Sequence, residues 1–385
     1  MPQQSHPDSV STRPRHDLLA AIASAIGDAG GWLPFDRFMA MALYQPGLGY
    51  YANGSPKFGL MPGSGSDFVT APEMSPLFGR ALAVQVAQGL AASGTDEVIE
   101  FGAGSGALAE QVLDALEAQG RPVSRYSIVE LSAGLRARQR ERLARFGDRV
   151  RWLEAWPEAI DGVVLGNEVL DAMPVQLVHF DGQQWWERGV VVATPVGGEG
   201  SPHGVPASLA FDDRPTTQCP PVDGPFVPGT VTELHTQARA WTASLAQRLR
   251  RGLVVLIDYG FPEAEYYHPQ RTGGTLMCHR AHQADVDPLV DVGAKDITAH
   301  VDFTGIALAA QEAGAQIVGY TSQARFLVNC GIAAMMDAAP LRERIMAQRL
   351  ITEHEMGELF KVLAFARGVE IDPLGFAQGD RMHRL

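Results

Sequence analysis

The chain has 385 residues, 46% hydrophobic and 19% charged, with a formal net charge of -13, the balance of a globular protein with a sizeable core. No run of about 18 uninterrupted apolar residues occurs, which argues against a membrane span. The acidic balance argues against nonspecific attraction to nucleic-acid phosphates or anionic membranes. Cys219, Cys278 and Cys330 are far apart and odd in number, so they form neither a disulfide framework nor a CxxC metal pair. That usage points to a reducing compartment, the cytoplasm or alternatively the mitochondrial matrix.

Residues 1–16 are polar and carry Pro2, Pro7 and Pro14, without the apolar core of a secretory signal. Arg13 and Arg15 would suit a transit peptide, whereas Asp8 and Asp17 would not, and a disordered tail is expected. Residues 17–45 read as helical, because Leu18, Leu19, Ile22 and Ile26, then Phe35, Phe38, Met39 and Leu43, recur at helical spacing. Residues 44–66 are crowded with Gly and Pro and must form a loop. A helix is predicted over Pro76–Leu90. From Glu97 onward strands and helices alternate: Val98–Phe101, Tyr126–Glu130, Val150–Leu153, Gly162–Gly166 and Leu253–Asp258 read as buried strands. Leu108–Leu116, Leu135–Phe146, Thr236–Arg250 and Thr304–Ala313 read as helices, and Gln316–Tyr320 and Phe360–Phe365 as further strands. The alternation predicts a doubly wound α/β fold whose mostly parallel sheet is covered on both faces. Residues 175–234, with alternating Val175, Leu177, Val178, Trp185 and Trp186, predict a β-rich insertion, and residues 259–300 a second one.

The first strand ends in Glu100-Phe101-Gly102-Ala103-Gly104-Ser105-Gly106. A glycine-rich turn that opens a helix offers backbone N–H groups and close approach to a ligand. The same stretch satisfies the dinucleotide fingerprint, as Gly102-x-Gly104-x-x-Ala107. A structural turn without a ligand is a third reading. Glu100 sits where methyltransferase loops carry an acid, and Glu130 ends the second strand, where a carboxylate can accept both ribose hydroxyls of S-adenosylmethionine or of NAD. The fourth strand ends Gly166-Asn167-Glu168-Val169-Leu170-Asp171-Ala172-Met173-Pro174. Polar groups at the carboxyl end of a parallel strand lie in the crevice where ligands bind. Two carboxylates there suit methyl transfer to nitrogen better than hydride transfer, although both could instead cap a following helix.

In its ordered motifs the sequence resembles the MidA-like methyltransferases, a family that includes the mitochondrial complex I assembly-factor arginine methyltransferase. The resemblance rests on Leu43-Tyr44-Gln45-Pro46 with Gly49-Tyr50-Tyr51, and on Asp67-Phe68-Val69-Thr70-Ala71-Pro72-Glu73-Met74-Ser75 followed by Phe78-Gly79. It continues through the glycine loop, Asn167 to Val175, Asp258-Tyr259-Gly260, Asp296 to Phe303 and Met356 to Val362. It implies a seven-stranded, Rossmann-like class I core binding S-adenosylmethionine over about residues 91–370, with the two insertions inside it. Residues 17–90 would then cover the active site, and residues 371–385 would form a C-terminal tail; the glycine density of the loop 44–66 predicts that it is mobile until ligand orders it over the site. The implied partner is a protein substrate, a respiratory-complex subunit in the best-understood member. A homodimer is left open.

If the acceptor is arginine, its guanidinium stays charged below a pKa of about 12. A carboxylate can hold its plane by pairing two N–H groups. Glu168 is the first candidate, in a setting that resembles the double-glutamate loop of arginine methyltransferases, and Asp171 is the second. His300, with Asp302 nearby, loosely resembles their Thr-His-Trp segment and would help receive the proton. Thr70 and Glu73 would close over the methionine end of the cofactor, Trp156 would pack on the adenine, and Asn167 completes the cofactor set with Glu100, Gly102, Gly104, Gly106 and Glu130. No clustered Cys/His ligand set occurs, so no metal is expected. A small-molecule methyltransferase and a cofactor-binding assembly chaperone without turnover are the alternatives, and the two intact carboxylates favour an enzyme.

Overall fold

The computed structural model describes residues 12–53, 69–193, 208–280 and 283–385. Its central sheet is built from β1 (Glu97–Phe101), β2 (Arg125–Val129), β3 (Val150–Leu153), β4 (Ile160–Asn167), β5 (Leu249–Phe261), β6 (Gln316–Ser322) and β7 (Phe360–Arg367). They lie in the order β6-β7-β5-β4-β1-β2-β3. Strands β1 to β5 pair in parallel, whereas β7 runs antiparallel to both β5 and β6. A two-residue strand, Val301–Asp302, adds to the end of β5 beside this path. The sheet is therefore mixed, in an α/β fold.

The apolar runs of the sequence follow from burial on both faces. Val163, Leu165, Leu253, Val255 and Ile257 pack with the helices Pro76–Ser93 and Ala107–Ala118. Val164, Val254 and Leu256, one residue out of phase, pack with the helices Thr236–Arg248 and Phe303–Glu312. Successive side chains of a strand point to opposite faces, so a strand buried on both needs apolar residues throughout.

The helix expected over residues 17–45 is two helices, Thr12–Asp28 and Phe35–Tyr44. Gly30 and Gly31 break them with φ of 76° and 90°, a left-handed conformation that closes a helix end at little cost only for glycine. The first of these helices takes in residues 12–16, read above as tail; residues 1–11 lie outside the described residues, as do residues 54–66 of the loop expected to be mobile.

A third core joins these helices to both insertions. Leu18, Ile22, Phe38 and Leu43 pack with Val175, Leu177 and Val190 from the first insertion and with Cys278, Ile297 and Ala299 from the second. The first insertion forms an antiparallel sheet of Gln176–Phe180, Trp185–Val192, Leu209–Pro215 and Val231–Leu234, to which the N-terminal residues Leu33–Pro34 add an edge. The second contributes a three-stranded sheet of Met277–Arg280, Gln283–Asp285 and Asp296–Thr298. These discontinuous segments form one cap over the carboxyl ends of β1, β4 and β5.

Between β6 and β7 the chain adds three helices, Gln323–Asn329, Ile332–Ala338 and Leu341–Ile351, the first two too short for an apolar stripe to repeat clearly in sequence. Residues 371–385 are tied to β6 and to the helix that follows it. Phe376 packs on Phe326 at 5.4 Å between ring centroids, Thr321 Oγ1 donates to the Gly379 carbonyl at 2.6 Å, and the Tyr320 N–H donates to Asp380 at 3.0 Å. Among the described residues no helix is long and apolar enough to cross a membrane.

Candidate active site

The glycine loop runs from β1 into the helix Ala107–Ala118. Gly102, Gly104 and Gly106 adopt φ of 63°, 53° and 83°, each in the region that side chains disfavour by roughly 1–2 kcal/mol. A Cβ on Gly102 would also stand 3.1 Å from Val169. The loop is held from outside by Gln139, whose amide donates to the Gly104 carbonyl at 2.8 Å and to Glu130 at 3.2 Å. Glu73 and Ser105 contact each other directly, and Arg142 donates to both, at 3.0 and 2.6 Å. Glu73 thus braces the loop and is not on the wall of the cavity in front of it.

That cavity has a volume of about 750 Å³, within the usual range for small-molecule sites. On one side it is lined by Gly102, Gly104, Glu100, Glu130, Leu131, Trp156 and Thr70. Glu130, at the end of β2, accepts the Ser132 N–H at 2.8 Å, and burial raises its pKa. Glu100 is buried and accepts from the Tyr126 hydroxyl at 2.7 Å. Desolvation pushes its carboxyl up to about 7, with the charge of Glu130 adding. Trp156 stands edge-on to Phe101 at 4.9 Å and to Trp241 at 5.4 Å, leaving part of its surface on the cavity. Gly106 does not line it; it sets the entry of the helix.

On the other side stands the end of β4. Residues 168–174 run through turns, so there is no helix there for Glu168 or Asp171 to cap. The backbone is instead gathered by Asp258, three residues before the end of β5, whose Oδ2 accepts the N–H groups of Val169, Leu170 and Asp171 at 3.2, 2.9 and 3.3 Å. Glu168 has φ of 55°, and its N–H donates to the Ile257 carbonyl at 2.9 Å. A non-glycine residue held there is a local strain that the neighbouring structure must impose. Asn167 donates to the Glu168 carboxylate at 3.0 Å. Desolvation, then the neighbouring charge of Asp171, pushes the Glu168 carboxyl up to about 8. Asp171 accepts a short hydrogen bond from the Tyr259 hydroxyl, while its Oδ1 is buried without a partner; burial pushes it up to about 6.

The cap closes the cavity with residues far apart in the chain. Tyr44 and Tyr51 stack at 5.5 Å. Tyr44 donates to the Ala172 carbonyl at 2.8 Å, and Tyr51 to both oxygens of Asp296 at 3.0 and 2.9 Å. His300 faces the cavity, stacked on Phe261 at 5.3 Å and edge-on to Tyr259 at 5.0 Å. Burial, then the charge of Arg271, lowers its pKa to about 4, so the ring is neutral at pH 7. Asp302 differs from the sequence expectation. It does not line the cavity but caps the helix Phe303–Glu312 by accepting the Gly305 N–H at 3.1 Å. The signal was present, since an Asp directly before an apolar helical run is an N-cap pattern. Around the whole cavity stand Glu100, Glu130, Glu168, Asp171 and Asp296, and among the described residues no Lys or Arg lines it.

A family profile of S-adenosyl-L-methionine-dependent methyltransferases matches residues 81–321. The chain belongs to that family. A crystal structure from Burkholderia thailandensis with S-adenosyl-homocysteine bound is 47% identical, covers 100% of both chains and superposes with a TM-score of 0.91. A native structure from the same organism is 46% identical, with a TM-score of 0.87. Among curated proteins, the mitochondrial protein arginine methyltransferase NDUFAF7 homolog of Caenorhabditis elegans is 28% identical over 77% of this chain and 72% of its own. The Drosophila melanogaster homolog is 26% identical over 96% and 89%. The MidA-like resemblance read from the motifs therefore holds, and the cofactor is S-adenosylmethionine, not NAD. The left-handed glycine turn and the Glu130 carboxylate facing the cavity fit that molecule.

Proposed function

We propose that this methyltransferase is a protein arginine N-methyltransferase, acting on a respiratory-complex subunit or similar protein. The observation that carries the reading is the pair Glu168 and Asp171 at the end of β4, with Asp171 Oδ1 unpartnered and no basic residue among the described lining of the cavity. Two carboxyl groups, Asp171 buried and Glu168 half-buried, held without a countercharge are costly, and a guanidinium is the ligand that offsets that cost in paired geometry. The arginine methyltransferase names of the curated relatives support the same acceptor.

S-adenosylmethionine supplies an electrophilic methyl group when bound beside Glu130 and the glycine turn. Glu168 holds the guanidinium plane, and Asp171, oriented by Tyr259, binds a second N–H edge. Methylated arginine keeps its positive charge, so one proton must leave the reacting nitrogen. His300 near pKa 4 is a poor acceptor for it. The Glu168–Asp171 pair, at about 8 and about 6, is the better one, which leaves His300 to shape the acceptor slot. Thr70, Asn167 and Trp156 line the cofactor side. The cap, from residues 12–53 and the two insertions, provides the acceptor side.

The test is mass spectrometry of arginine methylation in cells with and without the protein. It is followed by transfer of isotope-labelled methyl groups from S-adenosylmethionine, by the purified protein, into extract of the deleted cells. Loss of particular methylarginines and their restoration is the expected result. Labelling of a small molecule, or no labelling at all, would overturn it.

A further inference from the structure

A polarised hydrogen-bond chain runs from the first insertion into the second and ends on the backbone of His300. It begins at Glu233, in the strand Val231–Leu234, which is 1% exposed. Its Oε1 accepts the N–H groups of Thr275 and Leu276 at 2.7 and 2.9 Å, and its Oε2 accepts the Tyr266 hydroxyl at 2.8 Å. A Cβ on Gly274, which has φ of 70°, would stand 2.4 Å from that carboxylate. The second insertion is therefore shaped around it. The Thr275 hydroxyl lies 2.9 Å from the Tyr266 hydroxyl and accepts the His300 N–H at 3.0 Å.

The Tyr266 hydroxyl also lies 3.0 Å from His235 Nε2; with Glu233 ionised and His235 carrying its proton on Nε2, the donor inventory gives the chain one direction. A carboxylate only accepts, so Tyr266 donates to Glu233. Thr275 must then donate to the Tyr266 oxygen, which leaves its own oxygen for the His300 N–H. Chains with one direction polarise each bond in turn. A buried carboxylate without a cationic partner is costly unless its oxygens are satisfied, and here the satisfying groups all belong to the segment that leads to His300. The His300 ring sits between Phe261 and Tyr259, and Tyr259 donates to Asp171. Where the His300 backbone is fixed, the ring fixes the wall of the acceptor slot.

We propose that Thr275, held by Tyr266 and Glu233, is a positioning residue that sets His300 for the acceptor side of the reaction. This rests on the reading of His300 as part of the acceptor slot. Thr275→Val keeps the volume and removes the hydroxyl; Thr275→Ser keeps the hydroxyl; Tyr266→Phe breaks the chain one link further away. With the acceptor found by the proteomic experiment, Thr275→Val and Tyr266→Phe should each lower kcat roughly tenfold, with S-adenosylhomocysteine affinity unchanged. Thr275→Ser should stay within about twofold of wild type. In a His300→Ala background, Thr275→Val should add no further loss, the non-additivity of residues acting as one unit. Wild-type kcat in Thr275→Val, equal losses in the Val and Ser variants, or additive losses with His300→Ala would each overturn the proposal. An arm without acceptor separates this from failure of the arginine reading. The NMR signals of the His300 ring, assigned by their absence in His300→Ala, should move in Thr275→Val and not in Thr275→Ser, and unmoved signals in the Val variant refute the positioning role whatever the acceptor is.

Discussion

Replacing Glu168 by glutamine keeps the size of the side chain and removes only its ionisation. The unfolded carboxyl releases its proton near 4.5 and the folded one near 8. Between those values the folded state carries the extra proton, so each rise in pH favours unfolding. Wild-type stability should fall across that window, and Glu168→Gln, neutral in both states, should lose that part of the slope. At about 1.4 kcal/mol per pKa unit the ceiling is roughly 5 kcal/mol. The carboxylate is only half-buried and opens on a solvated cavity, so about 2–3 kcal/mol is the expected gain of the variant at pH 9, with parity near pH 5. Urea unfolding at pH 5, 7 and 9 measures it. The same variant should bind S-adenosylhomocysteine normally and transfer no methyl groups, because the charge that destabilises the free protein is the charge that pairs with the guanidinium. A glutamine variant that is no more stable than wild type at pH 9, or that keeps its turnover, refutes this account of Glu168.

Glu130→Ala should weaken S-adenosylhomocysteine binding about tenfold to a hundredfold in calorimetry, the range for lost hydrogen bonds to a charged acceptor, while acceptor KM stays within twofold or so. Asp302→Ala should lower stability by about 1 kcal/mol through the lost helix cap and leave turnover of the folded enzyme intact; a large fall in kcat would restore Asp302 to the catalytic group.

The strands of the core were legible because a parallel strand buried on both faces must be apolar at every position, as in Leu253 to Ile257. Glu168 and Asp171 were legible because a carboxylate has few other reasons to follow such a run. Asp258 carries the same signal at the end of the apolar run of β5, and its role became visible only with the three N–H groups that converge on it. Tyr44, Tyr51 and Asp296 were not legible as a group. They come from separate segments, and no local periodicity encodes a hydrogen bond between residues 51 and 296. His300 and Asp302 were joined by sequence proximity, but the second residue opens a helix and turns away from the first.

The cap has a consequence for how the chain acquires its structure. The apolar stripe of the helix Thr12–Asp28 packs on the following helix, Phe35–Tyr44, and on residues 175–190 and 276–299. At synthesis rates of roughly 5–20 residues per second, the last of these partners emerges on the order of tens of seconds after Leu18. During that interval Leu18, Ile22 and Ile26 have the second helix as a partner but lack the surfaces that the two insertions supply. The N-terminal helices are therefore the stretch on which a holding chaperone would act, and the stretch where a slowed ribosome or a destabilised second insertion would first show as aggregation. Cofactor-binding strands β1 to β4 are complete by residue 167. The glycine turn and its flanking strands can begin to assemble well before the second insertion, which carries Asp296 and His300, has been made to close the cavity.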